Sequence, residues 1–288
     1  MSVFVRQHKT VGKFTGGESW IILSDIEQRI KTKIESIGTP LKDWNVNIYR
    51  GILTGYNDAF IIDGNKKDEL IIADPKSAEI IRPILRGRDI KRYNYDFADL
   101  YLITTFPSLK VDIEQYPAIK QHLLGFGYDR LKQTGDVGAR KRTHNKWFET
   151  QDSISYWDDF SKQKIVWGNL NLKASYAIAP ENIFVNAPCP MIVPASAYLL
   201  ATLNSKLADY YIRSLGVTRN GGYFEYKPMF VEKLPVFKID STQEEIFDNM
   251  VKQRGNNQDE ADDAIDNLIY SLYDLDIDEI EFIESRYN

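Results

Sequence analysis

The arrangement of this chain of 288 residues depends on one segment, Asn45-Val46-Asn47-Ile48-Tyr49-Arg50-Gly51-Ile52-Leu53-Thr54-Gly55-Tyr56-Asn57-Asp58-Ala59-Phe60-Ile61-Ile62-Asp63. The segment alternates apolar with polar positions, is rich in β-branched and aromatic side chains, and is interrupted by Gly51 and Gly55. This pattern predicts two β-strands joined through a tight turn at residues 53–57, as in a hairpin. Glycine and asparagine are expected in such a turn, because they tolerate its backbone conformations.

A helix is predicted on the N-terminal side of this segment. Ser24-Asp25-Ile26-Glu27 has the capping-box pattern, in which the serine hydroxyl and the glutamate carboxylate satisfy the first free N–H groups of a helix. The helix is expected to run to about Ser36 and to end at Gly38-Thr39-Pro40, because proline cannot continue it.

On the C-terminal side, strands and helices are predicted in mixed order. Short strands are expected at residues 70–73 and 99–105, and a helix at residues 75–85. The stretch 120–145 is rich in glycine, arginine and lysine, and we expect it to be a partly mobile surface loop. Further strands are predicted at residues 164–167, 176–178 and 183–185, and a helix with Gly216 beyond its end at residues 194–215.

The C-terminal segment differs in charge from the rest of the chain. Residues 239–288 hold 15 acidic and three basic side chains, whereas residues 1–238 hold 33 basic and 26 acidic ones. The net charge of −5 therefore conceals a basic body, and this asymmetry indicates a polyanionic partner for the body. Two acidic amphipathic helices are predicted between residues 242 and 285, interrupted at Asn256-Asn257 and at Asp274-Leu275-Asp276, with one apolar face formed by Ile265, Leu268, Ile269, Leu272 and Tyr273.

Together these elements predict an α/β (α+β) fold, with a mixed-sheet body and a C-terminal helical appendage. We expect an N-terminal connector and helix at residues 1–40, the body at 41–238 and the acidic helical segment at 239–288. The single cysteine, Cys189, excludes an internal disulfide bond and suits the reducing cytoplasm. No signal-peptide pattern begins the chain and no apolar run approaches the ~20 residues that cross a bilayer, so we expect a cytoplasmic protein without a membrane partner.

The sequence offers no recognisable catalytic or metal site. His8, His122 and His144 stand in unrelated contexts, without a second ligand at zinc spacing. No Gly-x-Ser-x-Gly elbow and no P-loop occur, and Cys189 has no histidine nearby. The tetrapeptide with which amino-methyltransferases contact their target base is missing, and no lysine follows Glu79 at the spacing of a metal-dependent nuclease. We therefore expect no catalysis, no metal and no cofactor in this chain.

Five groups of short motifs occur in series between about residue 20 and residue 285. They are Leu41-Lys42-Asp43-Trp44 with Gly51 to Asp63; Ile84-Leu85-Arg86-Gly87-Arg88-Asp89-Ile90-Lys91-Arg92-Tyr93; Lys146-Trp147-Phe148-Glu149 with Lys164-Ile165-Val166-Trp167; Leu199-Leu200-Ala201-Thr202-Leu203-Asn204-Ser205-Lys206 with Gly221-Gly222 and Val231-Glu232-Lys233-Leu234-Pro235-Val236; and Ile265-Asp266-Asn267-Leu268-Ile269-Tyr270-Ser271-Leu272-Tyr273. In this order they resemble the TaqI-like C-terminal specificity domain of type II restriction–modification enzymes, in particular of fused adenine-specific methyltransferase/endonucleases. Type I specificity subunits share the Leu-Asn-Ser and Leu-Pro-Val patterns and are a close relative to consider.

The resemblance implies that residues 41–238 form a domain that recognises a sequence in double-stranded DNA. The methyltransferase half that would precede residue 1 is absent, so the resemblance implies a recognition module rather than a complete enzyme. Its second partner would be the methyltransferase or nuclease half of the parent enzyme. That parent would use S-adenosylmethionine, and Mg²⁺ if it cleaves DNA.

Two short motifs are candidates for DNA contact, and each has a structural interpretation beside the functional one. Thr54 and Asn57 would approach the duplex from an exposed turn, or would simply close an ordinary hairpin. Arg86 and Arg88 would grip a phosphate or read guanine while Asp89 orients its neighbour, or would make local pairs at a solvated helix end.

The basic stretch 130–146 is the preferred candidate for a loop that enters a groove of DNA. It would neutralise several phosphates, so that log affinity falls with log salt by about 0.9 per phosphate, and the alternative is a solvated, disordered loop. The stretch 218–223 would support a loop against DNA with a lysine nearby on a phosphate, or would only connect a helix to a strand. The candidates in and beside these stretches are Arg130, Arg140, Lys141, Arg142, Lys146, Arg219, Asn220 and Lys227.

The alternative function is that of a protein-interaction module. The acidic tail would repel DNA, and its apolar face needs a partner, which is either the body of this chain or another protein. In the second case the tail would dock that protein.

Overall fold

The structure, a computed structural model of the protein, describes residues 23–216, 218–254 and 258–287. Within these residues the chain forms two four-stranded sheets, two two-stranded ribbons and surrounding helices, which confirms the mixed α/β (α+β) prediction with C-terminal helices. The strands are β1 (Thr39–Pro40), β2 (Asn47–Arg50), β3 (Ile61–Asp63), β4 (Ile81–Leu85), β5 (Leu100–Ile103), β6 (Lys164–Trp167), β7 (Leu170–Asn171), β8 (Tyr176–Ala179), β9 (Phe184–Val185), β10 (Pro190–Val193), β11 (Phe224–Glu225) and β12 (Pro235–Val236). The helices are α1 (Asp25–Ile37), α2 (Asn57–Phe60), α3 (Gly64–Ala73), α4 (Pro117–Leu124), α5 (Tyr128–Leu131), α6 (Ala197–Asn204), α7 (Lys206–Leu215), α8 (Pro228–Val231), α9 (Ser241–Gln253), α10 (Gln258–Leu272) and α11 (Ile277–Glu284).

The two four-stranded sheets differ in topology. The first has the order β2-β10-β6-β8 and is antiparallel throughout. The second has the order β3-β5-β4-β9, and its β4–β9 pair runs parallel. Two ribbons complete the sheet structure, one formed by β1 with β12 and the other by β7 with β11.

The N-terminal helix confirms its predicted cap. The Ser24 N–H donates to the Glu27 carboxylate at 2.8 Å, and the Glu27 N–H donates to the Ser24 hydroxyl at 3.4 Å. This reciprocal pair fixes the start of α1, and Gly38 follows its last residue.

The prediction of a hairpin at residues 45–63 is wrong. β2 and β3 lie in different sheets, and the chain crosses from the first sheet to the second at Gly51 and Ile52. The Gly51 N–H donates to the Cys189 carbonyl at 2.6 Å, and the Ile52 N–H donates to the Val185 carbonyl at 2.8 Å. Where the tight turn was expected, the helix α2 begins at Asn57. The alternation of apolar residues indicated strands correctly, but it does not identify the strands with which they pair.

Gly51 is required at this crossing. A Cβ atom added there would lie 2.6 Å from both the Cys189 and the Val185 carbonyl oxygens. These oxygens belong to the backbone and cannot move aside as the end of a side chain can.

Two further predictions in the first half of the chain are wrong. Residues 70–73 are the last turn of α3 and not a strand. The helix begins after Asp63, which caps it by accepting a hydrogen bond from the Lys66 N–H at 2.8 Å, and it continues to Ala73. Residues 75–85 form a short 3₁₀ helix and then β4, not one α-helix, and Pro83 within them would break an α-helix. A short apolar run does not distinguish a strand from a buried helix. The strands predicted near residues 99–105, 164–167, 176–178 and 183–185 are confirmed.

The buried apolar side chains form two cores. The first surrounds the second sheet and includes Phe60 and Leu102. The second joins the first sheet to α1, α6, α7 and the tail helices, and includes Ile30, Trp167 and Ile269. This second core therefore contains side chains from the N-terminal helix, the body and the acidic tail.

Within the described residues the acidic tail has three helices, α9, α10 and α11, where two were predicted. The predicted interruption at residues 274–276 separates α10 from α11, whereas the one at Asn256-Asn257 lies outside the described residues. Ile265 and Tyr273 of the predicted apolar face are buried, and the Tyr273 hydroxyl donates to the Pro235 carbonyl at 2.7 Å. The apolar face of the tail is thus packed against the body of the same chain. No helix in the described part of the chain combines the length and apolarity needed to span a membrane.

We predict that Gly51→Ala lowers the free energy of unfolding by about 3 kcal/mol, because its Cβ would force apart the two backbones at the crossing. Gly87→Ala is the matched control at the same junction, where the new Cβ would lie 3.3 Å from the Cys189 sulfur and at an ordinary contact distance of 3.8 Å from Gly168 Cα. Urea denaturation of both variants measures the difference. Equal stability of the two would contradict the account of the crossing.

Candidate nucleic-acid interface

Three parallel chain segments, namely β4, β9 and the chain at Ile52, end on the same side of the second sheet, at the carboxyl ends of its parallel strands. Leu85 of β4 pairs with Val185 of β9, and Asn186 forms a parallel bridge with Ile52. Neighbouring strands lie about 4.8 Å apart, so Arg86 and the chain beyond Ile52 leave this edge about 10 Å from each other. Two of the predicted DNA-contact motifs, far apart in sequence, are therefore brought to one edge.

A third predicted motif, the basic stretch 130–146, packs on the turn that follows Ile52. We call the loop at residues 130–150, which contains this stretch, the basic loop. The Gln151 N–H donates to the Thr54 carbonyl at 3.2 Å. The Arg130 guanidinium lies over the Tyr56 ring, 4.4 Å from its centroid. We call the surface formed by residues 53–57, residues 86–89 and the basic loop the basic edge.

Arg140 holds the basic loop together from inside. It is 2% exposed, and its Nε donates to the Leu131 carbonyl at 2.9 Å. Its Nη1 donates to the Thr54 and Glu149 carbonyls at 2.9 and 2.8 Å, and its Nη2 donates to the Trp147 carbonyl at 2.7 Å. Burial lowers the pKa of Arg140 to about 10, so the side chain remains charged at neutral pH.

These contacts correct the interpretation of Arg140 as a DNA contact. All four acceptors are backbone carbonyls, so the guanidinium satisfies main-chain groups that no sheet or helix satisfies there. Its donors face inward and are not available to a phosphate in this conformation.

The stretch 120–145, which was expected to be a partly mobile surface loop, contains helical structure. The stretch includes most of α4 and all of α5, and then folds back on itself. The Arg140 N–H donates to the Lys132 carbonyl at 2.9 Å, and the Gly135 N–H donates to the Arg140 carbonyl at 3.0 Å. Gly135 and Gly138 have φ angles of 77° and 83°, the left-handed conformation that glycine adopts without strain.

Besides Arg140 the basic loop holds five cations, of which four are exposed and the fifth, Lys132, pairs with Asp129. Arg130, Lys141, Arg142 and Lys146 all lie on the surface. Two of them are held in place: Arg130 Nη1 donates to the Gly138 carbonyl at 2.7 Å, and Arg142 Nε donates to the Thr134 carbonyl at 2.8 Å. The loop therefore presents a cluster of positive charge with part of its geometry set in advance.

Thr54 and Asn57 have different positions at the basic edge. Thr54 is buried, and its hydroxyl donates to Asn57 Oδ1 at 2.7 Å. Asn57 is exposed, and its Nδ2 makes no hydrogen bond within the described residues. Thr54 thus orients the amide, and Asn57 is the member of this pair that a base edge could meet.

Arg86 and Arg88 differ in whether a carboxylate holds them in place. Arg86 pairs with the buried Asp89 through two hydrogen bonds, Nε to Oδ2 at 3.0 Å and Nη2 to Oδ1 at 2.9 Å. Burial would raise the pKa of Asp89, but the hydrogen bonds from Arg86 outweigh it and lower that pKa, so the pair stays charged. Asp89 therefore orients Arg86, while Arg88 stays exposed.

The remaining candidates form a second group, on the ribbon of β7 and β11. Lys227 Nζ and Arg219 Nε bond to Glu225 at 2.9 and 2.5 Å, and these bonds lower the pKa of the Glu225 carboxyl. Asn220 is exposed beside them. Glu225 and the Tyr56 ring were not among the sequence candidates. The position of Glu225 two residues before Lys227 is a signal that could have found it, whereas the contact of Tyr56 with Arg130 appears only after folding.

The β6–β7 connection joins this second group to the basic edge. A Cβ placed on Gly87 would lie 3.8 Å from Gly168 Cα, and the Tyr226 N–H donates to the Asn169 carbonyl at 2.8 Å. The two groups of candidate residues are thus linked through Gly168 and Asn169.

Two comparisons with known proteins point to restriction–modification enzymes, one through a family model and one through solved structures. The family model of the TaqI-like C-terminal specificity domain matches residues 82–236. The fold resembles that of the type IIL restriction–modification enzyme MmeI, solved in complex with DNA, with a TM-score of 0.57 and 14% identity over 85% of this chain and 36% of that one. It also resembles the type IIG restriction endonuclease BpuSI, with a TM-score of 0.51 and 16% identity over 86% of this chain and 32% of that one. The chain thus spans about a third of each enzyme, and at these identities the likeness is one of fold. No curated protein sequence matches the chain.

We predict that Arg140→Gln lowers the free energy of unfolding by about 3 kcal/mol, because several buried carbonyls lose their donors. Arg140→Lys should be nearly as destabilising, since an ammonium cannot reproduce the planar guanidinium contacts. Lys141→Gln, which alters the exposed neighbour, should change stability by less than about 0.5 kcal/mol. Thermal unfolding distinguishes them, and a stable Arg140→Gln would refute the internal role of Arg140.

A second prediction concerns His122 of α4, which supports the helix that carries Asn57. Its Nε2 lies 3.0 Å from the Ala59 carbonyl, and burial lowers its pKa from the ordinary 6.5. The imidazole of His122 is therefore protonated more readily in the unfolded chain than in the folded one. The contribution of neutral His122 to the free energy of unfolding is present above about pH 6.5 and is lost as the pH falls. We expect the stability advantage of wild type over His122→Gln to shrink between about pH 7 and pH 5 in urea titrations. An advantage that does not vary with pH would contradict this.

Proposed function

This chain belongs to the TaqI-like C-terminal specificity domain family, and from that membership we propose that it binds double-stranded DNA as the target-recognition module of a restriction–modification enzyme. We further propose that the parent enzyme methylates adenine, with S-adenosylmethionine as cofactor, in a domain other than this one. If the parent also cleaves DNA, Mg²⁺-dependent cleavage would likewise lie outside this chain.

The observation that carries the proposal is the convergence of exposed cations at the basic edge. Arg88 and the four exposed cations of the basic loop come from two parts of the sequence, and the segments that carry them meet at the same end of the second sheet. DNA carries one negative charge per about 1.7 Å of its axis, and neutralising phosphates releases condensed counterions. A cluster of this kind supplies affinity for a duplex that does not depend on its sequence.

Sequence reading needs donors held in fixed directions, and the basic edge provides two. Arg86 is oriented by the buried Asp89, and Asn57 is oriented by Thr54. Guanidinium groups read the O6 and N7 atoms of guanine, and amides read the N6 and N7 atoms of adenine. We assign base contact to Arg86 and Asn57, and phosphate contact to the exposed cations of the basic loop.

The acidic tail is compatible with this function because its charge is partly paired within the chain. Lys33 Nζ bonds to Glu279 at 2.7 Å, and Lys206 Nζ bonds to Glu284 at 2.8 Å. Its apolar face is buried against the body, so that face is not available to dock another protein. Deleting residues 239–288 would open the second core, and substitutions of surface charge are therefore the cleaner test.

The proposal predicts salt-dependent binding of the full chain to a fluorescent duplex pool of random sequence, measured by anisotropy. Replacing Arg130, Lys141 and Arg142 together by glutamine should reduce the slope of log affinity against log salt by about 2 to 3, because each phosphate contact contributes about 0.9.

The control replaces three exposed lysines outside the basic edge, Lys42, Lys76 and Lys233, by glutamine and so removes the same charge. It should leave the slope close to that of wild type. An equal loss in both variants would assign binding to overall charge, and no binding by wild type at low salt would overturn the proposed function.

A further inference from the structure

The ribbon formed by β7 and β11 exposes three large apolar side chains next to each other. Leu170, Leu172 and Tyr223 are 52%, 53% and 43% exposed. Single exposed apolar residues need no explanation in a folded protein, but a contiguous group of them marks a contact surface.

The register of the ribbon places these three side chains on one face. Leu170 lies opposite Glu225, and Asn171 lies opposite Phe224. Continuing this antiparallel register places Leu172 opposite Tyr223, and directly opposed residues point to the same side of a ribbon. The three apolar side chains therefore lie on one face, together with the buried Glu225 opposite Leu170, and we call this the ribbon face.

The opposite side of the ribbon is anchored to the protein. The Phe224 ring lies under the Arg213 guanidinium, 4.1 Å from its centroid, and packs against the second core. Asn171 Nδ2 donates to the Gly168 carbonyl at 2.9 Å. Because the side of Phe224 and Asn171 packs on the protein, the ribbon face points outward.

The charge around the ribbon face selects its partner. Residues 168–173 and 218–227 hold the cations Lys173, Arg219 and Lys227 and a single carboxylate, Glu225. That carboxylate is buried and pairs with two of the cations. An apolar surface with a cationic rim is complementary to a polyanion that also offers apolar groups, and a DNA groove is such a surface.

The ribbon face is also continuous with the basic edge through Gly168, which lies against Gly87. At the end of the ribbon, Gly221 and Gly222 both have φ angles of 78°, so the chain reverses there without bulky side chains. A two-stranded ribbon is one of the shapes that the major groove of B-DNA admits.

We propose that the ribbon face enters the major groove and recognises the 5-methyl groups of thymine by apolar contact, with Leu172 and Tyr223 against the methyl groups and Arg219 and Lys227 on the flanking phosphates. This inference rests on the proposed function and extends it to a class of target base. Thymine is the base that presents a methyl group in the major groove, so such a contact favours A·T pairs at the positions that the ribbon covers.

The test compares thymine with uracil, which lacks only the methyl group. A binding site is first selected for the full chain from a random duplex pool, and the selected duplex is then prepared with uracil in place of every thymine. We expect wild type to bind the uracil duplex about fourfold more weakly per methyl group contacted. The double variant Leu172→Ser/Tyr223→Ser should lose a similar factor per methyl group on the thymine duplex and no longer distinguish the two duplexes. Its salt slope should be unchanged, because no phosphate contact is removed.

Two further variants separate this effect from general damage. Leu172→Met keeps an apolar side chain and should retain the discrimination, and Ile72→Ser, which changes an isolated exposed residue of α3, should do the same. If wild type binds the duplex but does not discriminate against uracil, or if Leu172→Ser/Tyr223→Ser still discriminates, the inference is overturned while the proposed function stands. The second result would assign the ribbon face to another partner, such as the catalytic part of the parent enzyme. If wild type binds no duplex at all, the proposed function and the inference both fail.

Discussion

The close approach of two backbones at Gly51 is the constraint on which the rest of the structure depends. Only a residue without a Cβ lets the chain pass between the Val185 and Cys189 carbonyls and continue from one sheet into the other. Ile52 is thereby aligned in parallel with β9, which is itself parallel to β4. Because parallel segments end on the same side of a sheet, the residues that follow each of them meet at one edge. The basic edge is therefore a consequence of topology rather than of a local motif.

A buried cation then gives the basic edge its shape. The basic loop contains little regular structure, so its carbonyls need donors from elsewhere. Arg140 supplies them with four hydrogen bonds to main-chain oxygens, and it ties the loop to the turn that carries Asn57. One arginine of the cluster thus organises the loop, which leaves its neighbours outside and able to meet a polyanion. A count of positive residues overstates the number of DNA contacts for this reason.

Charge in the rest of the chain is also partly used inside the fold, where side chains of the acidic tail pair with cations of other helices. The acidic tail supplies apolar side chains to the second core and carboxylates to the cations of α1 and α7. Glu279 is an example of the second role, since it is buried and its carboxylate accepts a hydrogen bond from Lys33 of α1. The net charge of −5 is therefore a poor guide to binding, because it averages a packed acidic segment with an exposed basic surface.

Local patterns in the sequence determined what depends on neighbours in the chain. The capping box at Ser24 and Glu27, the strand at residues 164–167 and the apolar face of Ile265 and Ile269 follow from short-range hydrogen bonding and periodicity, and all are found. The series of family motifs likewise identified the class of domain. Only the tertiary structure decided that the segment around Gly51 crosses between sheets, that Arg140 faces inward while Lys141 faces out, and that Glu225 joins two cations. The crossing at Gly51 depends on Val185 and Cys189, which are distant in the sequence, and the other two outcomes depend on how the chain folds back around each side chain. A periodic pattern specifies which face of an element is buried but not what it is buried against.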